Sequence, residues 1–407
     1  MKIGEFAKKN NAPIDTIRHY MELNLLLPIK STHQYEFNEQ CQQDYNEIIY
    51  LKSLQLSLKE IRTIIDYIRL TGISTEEYRF YIKKRLEKKK QDLISTLEKT
   101  RAAIDSIDKT LDDVTKFPPR SHLGIHLSLL TYLACPKCRK QTLTLESKAI
   151  ENNMIFDGIL TCTCGEILTI KDGILSVNGT PNLKNFVNIS IEDYVEQTDL
   201  EILSNIRKGG GWIQSEVPDS VFEDALVLEV GTGSGFFIRT NHQYINKSHL
   251  YIAVDHDIKR HHKLKERLES AGLNCPIQFI CCDYKAIPLT HHSVDTLVDF
   301  TGNSNIAFEE PLFLIDTINP LLKDTSHLLA SYIIFEKFSL DHFLPLANRK
   351  FFTKQSILEN LTHHHFAQIA SFDGNFHTEG GPYENYFTSK DSVYMMWYYG
   401  KRTCIPI

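Results

Sequence analysis

The fold of the larger part of this chain is decided by residues 226–235, Leu226-Val227-Leu228-Glu229-Val230-Gly231-Thr232-Gly233-Ser234-Gly235. The first five residues are apolar apart from one carboxylate, which is typical of a parallel strand buried on both faces. The glycines that follow allow a tight turn and the close approach of a ligand to the backbone. Phe236 can then begin a helix. The segment predicts a strand, a glycine loop and a helix.

Three further predicted strands each end at an aspartate. They are 250–254 before Asp255, 277–282 before Asp283 and 294–298 before Asp299. The carboxyl ends of parallel strands lie at one edge of a sheet, where open α/β sheets bind ligands. We therefore expect a doubly wound α/β domain with these carboxylates at its binding edge.

In its order of motifs this half of the chain resembles class I S-adenosylmethionine-dependent methyltransferases. Residues 228–235 are more similar to the glycine loop of that family than to the Gly-x-Gly-x-x-Gly fingerprint of dinucleotide-binding proteins. The resemblance implies that the glycines border the amino-acid part of the cofactor, that the first aspartate takes the ribose hydroxyls and that the second, with its neighbouring tyrosine, meets the adenine. It also implies that the glutamate orders the glycine turn. The implied cofactor residues are Glu229, Gly231, Gly233, Gly235, Asp255, Asp283 and Tyr284.

Several assignments at this edge stay open. Asp257 competes with Asp255 for the ribose, and Asp255 and Asp283 could instead cap strand ends or helix starts. Asp299 and Asn303 are candidates for facing the substrate. Methyl transfer from a sulfonium depends mainly on alignment, so no catalytic residue is assigned. No Asn-Pro-Pro-Tyr motif is present, which disfavours amino-methylation of nucleic-acid bases.

Four cysteines form two short pairs, Cys135 with Cys138 and Cys162 with Cys164, across a β-rich stretch. Four thiolates suit a tetrahedral, closed and therefore structural zinc site. The surrounding sequence is similar to the small zinc ribbons that accompany bacterial methyltransferases. The second pair is Cys-x-Cys instead of Cys-x-x-Cys, a departure from the usual ribbon spacing.

The N-terminal residues predict helix, turn and helix, because apolar positions recur at helical spacing on either side of Asn10-Asn11. Segments 1–7, 15–20, 25–26 and 56–61 resemble, in order, the DNA-binding domain of MerR-family transcription regulators. The resemblance implies a winged helix-turn-helix that contacts DNA through Thr16, Arg18, Tyr20 and, in the wing, Tyr35. Tyr20 could equally pack in the core. Glu36 stands where that family usually carries a wing arginine.

A long helix is predicted after this domain, because neither Gly nor Pro interrupts residues 74–117. Apolar residues recur every seven positions along it, with a second set at the complementary heptad position. These positions are Leu86, Leu93, Thr100, Ile107 and Val114, with Leu97, Ile104 and Leu111. The pattern predicts a coiled coil, and the MerR resemblance implies a homodimer on a palindromic operator.

The chain has 407 residues, a net charge of -6 and no apolar run near the roughly 18 residues of a spanning helix, so we expect a cytoplasmic, multidomain protein without membrane contact. We expect a winged helix-turn-helix (1–72), a coiled-coil helix (73–117), a zinc ribbon (131–178), a methyltransferase-like domain (186–372) and a C-terminal extension (373–407). Residues 208–212, Lys-Gly-Gly-Gly-Trp, look like a linker or a hinge.

The sequence supports two hypotheses about function. The first is a DNA-binding transcription regulator that uses a zinc ribbon and an S-adenosylmethionine-binding domain as its effector region. The second is an active methyltransferase of a small molecule or RNA, in which the N-terminal half serves autoregulation or dimerisation. Both require promoter DNA or a methyl acceptor as partner, S-adenosylmethionine as cofactor and structural Zn2+.

Overall fold

The computed structural model describes residues 1–30, 34–71, 76–115, 119–178, 191–377 and 379–403. They fall into two compact units, Met1–Lys116 and Phe117–Ile407. The predicted multidomain class is confirmed: the first unit is helical, and the second is built on one mixed sheet.

The first unit contains five helices and a small hairpin. Its elements are α1 (Ile3–Lys9), α2 (Ile14–Glu22), β1 (Ile29–Lys30), β2 (Tyr35–Glu36), α3 (Glu39–Ser53), α4 (Leu58–Thr71) and α5 (Glu76–Val114). Strands β1 and β2 pair antiparallel. Helices α1 to α4 enclose an apolar core that includes Phe6, Ile17 and Tyr20. At the start of α4, Ser57 and Glu60 satisfy each other's backbone amides, at 3.3 and 2.8 Å, as the capping-box pattern requires.

Helix α5 packs Leu86 against the core of the first unit and leaves the rest of its apolar stripe uncovered in the single chain. None of its residues is buried, and Leu97, Ile104 and Leu111 are 67%, 52% and 54% exposed. Residues 73–75 and 116–117 of the predicted coiled coil lie outside the described residues.

The second unit places twelve strands in one sheet, with helices between them. In chain order its elements are β3 (Ile125–His126), β4 (Leu143–Glu151), β5 (Met154–Cys162), β6 (Ile167–Lys171), β7 (Ile174–Val177), α6 (Ile191–Gln197), α7 (Leu200–Glu216), β8 (Leu226–Val230), α8 (Phe236–Thr240), α9 (His242–Ile245), β9 (Leu250–Asp255), α10 (Ile258–Ser270), β10 (Ile277–Cys281), β11 (Val294–Phe300), α11 (Gly302–Glu309), α12 (Leu314–Ile318), β12 (Leu322–Lys337), α13 (Leu346–Arg349), α14 (Lys354–His363), β13 (Phe366–Asp373) and β14 (Ser392–Arg402).

The sheet has a parallel centre and antiparallel ends. Its strand order is β13-β14-β12-β11-β8-β9-β10-β7-β6-β5-β3, and β4 pairs with β5. The pairs from β12 to β7 are parallel. From β8 the chain adds β9 and β10 on one side, and then crosses to add β11 and β12 on the other. The carboxyl end of β8 is therefore the topological switch point, where such sheets bind ligands.

Two expected boundaries run through this sheet. The predicted ribbon is not a separate module, because β7 pairs in parallel with β10 of the α/β domain. The predicted extension 373–407 contributes β14, which lies between β12 and β13. The extension is thus part of the fold, because β12 and β13 obtain their hydrogen-bond partners from it.

The glycine run in 208–212 is neither a linker nor a hinge, since it lies inside helix α7. Gly209 is buried against the Trp397 indole of β14, and a Cβ built at Gly209 would stand 1.9 Å from Trp397 Cε2. The glycine is needed for this close helix-to-sheet contact. Local sequence suggested flexibility because the indole that requires the glycine is far away in the chain.

Within the described part of the chain, no helix combines the length and the apolar character needed to cross a membrane.

Replacing Gly209 with Ala should destabilise the second unit by about 1–3 kcal/mol, because the added methyl group overpacks against Trp397. Gly210→Ala is the matched control, since a Cβ there meets nothing within 4 Å and alanine favours the helix by about 1 kcal/mol. Thermal and urea unfolding of both variants checks this. Equal stability of the two would contradict the packing assigned to Gly209.

Candidate functional site

The glycine loop after β8 is held against β9 by its own backbone. The Gly231 amide donates to the Val254 carbonyl at 2.9 Å, and Gly231 and Gly233 have φ of 75° and 55°. Side-chain-bearing residues rarely adopt this left-handed region, which explains the glycines here. Gly233 directs its amide to Asp255, where the distance from N to Oδ2 is 2.8 Å.

Asp255 organises this edge of the sheet. Its carboxylate is 4% exposed and accepts a second bond, from the Asp257 amide to Oδ1, at 2.9 Å. Asp257 itself caps helix α10 through the Lys259 amide at 2.8 Å and lies 3.6 Å from the Arg260 guanidinium. Of the two competing aspartates, Asp255 lines the cavity beside the loop and Asp257 does not. Geometry therefore favours Asp255 at the ligand.

Two cavities meet at the glycine loop. The smaller, of about 110 Å³, is lined by the ends of β8 and β9 and by Asp255, Asp283 and Tyr284; we call it the loop cavity. The larger, of about 670 Å³, contains many aromatic side chains; we call it the aromatic cavity. Both are lined by Gly231, Gly233, Arg260, Asn305 and Glu309. A ligand in the loop cavity would thus border a second ligand in the aromatic cavity.

Two glycines near the loop serve packing. Gly235, predicted at the cofactor, lines neither cavity; it has φ of 74°, and a Cβ there would stand 2.5 Å from Leu264 Cδ1 of α10. Gly302, which we did not predict, lies under the loop, where a Cβ would stand 2.6 Å from the Val230 carbonyl oxygen. Local sequence does not distinguish a packing glycine from a binding one.

Glu229 is a buried acid at the wall of the aromatic cavity. It is 1% exposed and accepts a 2.8 Å hydrogen bond from the Tyr251 hydroxyl. Burial raises the pKa of Glu229 to about 8; the Tyr251 bond opposes this increase, and the nearby Asp255 charge adds to it. The carboxyl is therefore protonated at neutral pH, so it can donate as well as accept.

Asp283 and Tyr284 line the loop cavity at the end of β10. Asp283 accepts from the Lys285 amide at 2.7 Å. The Tyr284 hydroxyl donates to Glu310 Oε2 at 3.0 Å, and Lys285 Nζ lies 2.5 Å from the same oxygen. Asp283 thus caps a short 3-10 helix and also borders the loop cavity.

The predicted substrate-facing pair, Asp299 and Asn303, lines neither the loop cavity nor the aromatic cavity. Asp299 accepts from the Asn303 amide at 2.9 Å, and Asn303 accepts from the Leu314 amide at 2.8 Å. Burial raises the pKa of Asp299 to about 7. The structure assigns both residues to the start of α11. The residues of this helix that line both cavities are Asn305 and Glu309, for which the sequence contains no motif.

The four predicted cysteines come together despite the Cys-x-Cys spacing. Their Sγ atoms lie within 4.8 Å of one another, with Cys135 to Cys164 and Cys138 to Cys162 both at 3.6 Å. Zn–S bonds of 2.3 Å in a tetrahedron separate sulfurs by about 3.8 Å. Thr142 Oγ1 lies 3.0 Å from Cys162 Sγ, as an outer-shell partner would. The donor set fits a tetrahedral metal ion.

Arg139 joins the cysteine cluster to the loop cavity. Its amide donates to the Cys135 carbonyl at 2.9 Å, and its φ is 60°. Its guanidinium donates to the carbonyls of Lys285 and Ile287 at 2.9 and 3.1 Å. Lys285 directly follows Tyr284, and Ile287 lies two residues further on, so one side chain ties the first cysteine pair to the segment after Asp283 and Tyr284.

The four residues predicted to contact DNA differ in their exposure in the first unit. Arg18 is 63% exposed on α2, 2.9 Å from Asp15; Thr16 is half-buried on the same helix, and Tyr35 is exposed on β2. Tyr20 is 2% exposed, and its hydroxyl accepts from Lys52 Nζ at 3.2 Å. Its ring is therefore core, because helical spacing places residue 20 on the same buried face as Ile17.

Comparison with family models matched one segment in each half of the chain. Residues 1–68 match the MerR HTH family regulatory protein, and residues 227–324 match the Methyltransferase domain. The chain thus carries a MerR helix-turn-helix domain at its N-terminal end and a methyltransferase domain in its C-terminal half, as the motifs predicted. A search of curated proteins gave no match.

Solved structures similar to this chain include two methyltransferases and a protein named YcgJ. A SAM-dependent methyltransferase from Aquifex aeolicus is 17% identical, with 53% of this chain and 100% of that one covered and a TM-score of 0.34. Geranyl diphosphate C-methyltransferase from Streptomyces coelicolor A3(2), solved with S-adenosyl-L-homocysteine, is 11% identical. The match covers 48% of this chain and 76% of that one, with a TM-score of 0.37. The YcgJ protein from Bacillus subtilis is 13% identical, with 48% of this chain and 98% of that one covered and a TM-score of 0.37. These likenesses are weak.

The raised pKa of Glu229 should appear in the pH dependence of folding. A carboxyl with a native pKa of about 8 holds a proton that the unfolded chain releases near pH 4.5. The unfolding free energy should fall from about pH 4.5 to about pH 8 and then level off. Glu229→Gln, which mimics the neutral acid, should lose this component.

The measurement is the difference in melting temperature between wild type and Glu229→Gln from pH 5.5 to 9. It should decline steadily and flatten above about pH 8. Glu359→Gln, on the exposed face of α14, provides the control and should give a flat difference. A flat difference for Glu229→Gln too would refute a protonated Glu229.

Proposed function

We propose that this protein is a dimeric, DNA-binding transcription regulator of MerR type whose second unit binds S-adenosylmethionine. The observation that carries the proposal is one chain that pairs a MerR helix-turn-helix domain with a methyltransferase domain whose ligand edge is still open. A ligand there would bias the conformation of the chain only if it bound two states with different affinity.

Cofactor binding is supported by the geometry around the loop cavity. Gly231 and Gly233 leave the backbone accessible, Asp255 offers lone pairs for ribose hydroxyls, and Asp283 with Tyr284 forms the adenine side. Glu229 is tied to β9 by its bond to Tyr251, one residue before the end of β8, and its proposed role is to order the glycine turn that follows. S-adenosylmethionine would supply an activated methyl group, and the chain would align it.

DNA binding and dimerisation are supported by surfaces of the first unit. Arg18 and Tyr35 are exposed on α2 and in the β1–β2 hairpin, the two elements that a winged helix-turn-helix presents to DNA. The exposed heptad stripe of α5 suits a partner helix of the same sequence. A two-fold dimer of this kind matches a palindromic operator.

An active methyltransferase is the second candidate, and one observation favours it. The aromatic cavity adjoins the loop cavity at Gly231 and Gly233, and its volume is about 670 Å³. A domain that only senses the cofactor does not need a second cavity of this size beside the cofactor site. The methyl acceptor would be a small molecule or RNA, and the first unit would then regulate the protein's own gene.

The cysteine cluster is proposed to bind structural Zn2+ through Cys135, Cys138, Cys162 and Cys164. Four thiolates leave no open coordination position, so the ion would stabilise the fold without taking part in chemistry. Through Arg139 it would also position the Lys285–Ile287 segment beside the loop cavity. This would couple metal binding to cofactor affinity.

Isothermal titration of S-adenosylmethionine and S-adenosylhomocysteine into the full chain, with and without its own promoter DNA, tests the regulator. We expect binding whose affinity changes when DNA is present, and the ratio gives the coupling free energy. Arg18→Ala should weaken DNA binding and lower the slope of log K against log salt by about 0.9 for one lost phosphate contact. Arg101→Ala, on helix α5, is the control.

Cofactor binding that ignores DNA would favour the enzyme. Absence of cofactor binding would refute both functions of the second unit. DNA binding that Arg18→Ala leaves unchanged would contradict the α2 interface.

Removing the metal should lower the affinity for the cofactor and also the stability of the ribbon. Chelation should lower both the zinc content and the affinity for S-adenosylhomocysteine, and Arg139→Ala should lower that affinity about tenfold, or 1.4 kcal/mol, while the zinc stays bound. Lys137→Ala is the control, because Lys137 is exposed between the same two cysteines. An Arg139→Ala variant with unchanged affinity would refute the coupling; a zinc-free protein of full stability would refute the metal site.

A further inference from the structure

We propose that the aromatic cavity binds a small molecule that combines a planar apolar ring system with a positively charged amine. The inference rests on the proposed cofactor site, because this cavity opens onto the glycine loop and would hold the methyl acceptor there. It goes further by naming the chemical class of that acceptor.

The walls of the cavity are aromatic and come from separate parts of the second unit. They include Tyr194, Phe236, Phe237, Phe300, Phe308, Phe343, Tyr383 and Tyr386. Several of these rings already touch: the centroids of Tyr194 lie 5.3 Å from Phe236 and 5.9 Å from Tyr383, and those of Phe308 and Tyr386 lie 5.3 Å apart. Flat apolar walls favour a flat apolar ligand, which gains ring contacts beyond its buried area.

The size and cover of the cavity suit a small molecule. Its volume of about 670 Å³ lies within the usual range for small-molecule sites, about 300–1,000 Å³. Helix α6 and the segment after Gly380 lie together at its edge. Gly381 donates its amide to Glu384 at 3.0 Å, and Thr198 donates to the other oxygen of that carboxylate at 3.5 Å.

The charge preference comes from helix α11. Asn305 and Glu309 stand one turn apart and line both cavities, and neither side chain has a hydrogen-bond or ion-pair partner among the described residues. Glu309 is exposed there, so its carboxylate is available to a ligand. A carboxylate beside aromatic faces favours a cation, because rings attract positive charge as well.

The lining argues against RNA as the acceptor. Among the described residues that line the cavity, Arg260 is the only cation, and it already lies 3.6 Å from Asp257. Nucleic-acid binding draws its affinity from several Lys or Arg contacts to phosphate. A cavity with one paired cation and a carboxylate without a partner favours an amine over a polyanion.

Three indoles test the proposal by titration calorimetry with the full-length protein. Tryptamine and indole-3-propionate carry side chains of similar length and opposite charge, and indole lacks the side chain. Tryptamine should bind at least about tenfold more tightly than the other two, as roughly 1.4 kcal/mol of added charge and ring attraction requires. Glu309→Gln should remove this preference and leave indole binding unchanged. Glu359→Gln should change nothing, and Tyr383→Ala should weaken all three.

Each titration is run with and without saturating S-adenosylhomocysteine, whose own affinity is measured first. Failure of that cofactor to bind refutes the proposed cofactor site. Cofactor binding without tryptamine binding overturns only the amine proposal. Equal or tighter binding of indole-3-propionate also overturns it, as does a single-stranded RNA that displaces tryptamine.

Discussion

The site in the second unit depends on one carboxylate, that of Asp255. It is buried at the end of β9, and its two oxygens accept the Gly233 amide at 2.8 Å and the Asp257 amide at 2.9 Å. These bonds hold the glycine loop of β8 and the first turn of α10 at the place where the order of the sheet reverses. Charge-assisted bonds to backbone amides are strong and leave lone pairs for a ligand. The same residue thus builds the loop and offers the first polar contact to whatever binds there.

The sheet that holds this site also includes strands from the predicted ribbon and from the predicted C-terminal extension. Strand β7 extends the parallel centre from the ribbon side through β10, and β14 extends it from the other side through β12. The cysteine cluster is therefore not connected through a flexible linker. Strand β7, the Leu133–Leu289 bridge and Arg139 all join it to strands or loops of the binding edge. These contacts give the proposed metal site a short physical route to Asp283 and Tyr284.

Local features were predictable, and distant partners were not. Residues 226–235 specify strand, turn and helix by their own periodicity and glycines, so β8, the loop and the aspartate edge followed from sequence. Gly209 and Gly235 were misjudged because the groups that require them, Trp397 and Leu264, lie far along the chain. Asp299 and Asn303 were predicted to face the substrate because they lie at the end of a strand on the binding edge of the sheet. Their hydrogen bonds, to the start of α11 and to Leu314, depend on the three-dimensional fold and leave no sequence pattern. The aromatic cavity has no sequence pattern, since its rings come from segments between residues 194 and 386.

The regulator and the enzyme differ in what the second unit does with its two cavities, and they share the same pocket chemistry. A sensor gains its signal from the difference in affinity between two conformations, so a cavity that needs both a cofactor and an amine would respond only when the two coincide. An enzyme would use the same coincidence for transfer. Glu229 bears on both, because a neutral acid in the wall of the aromatic cavity does not add a second negative charge beside Asp255. The charge of the aromatic cavity is then set by Glu309 and Arg260, and since Arg260 lies beside Asp257, the carboxylate without a partner decides which ligand is attracted.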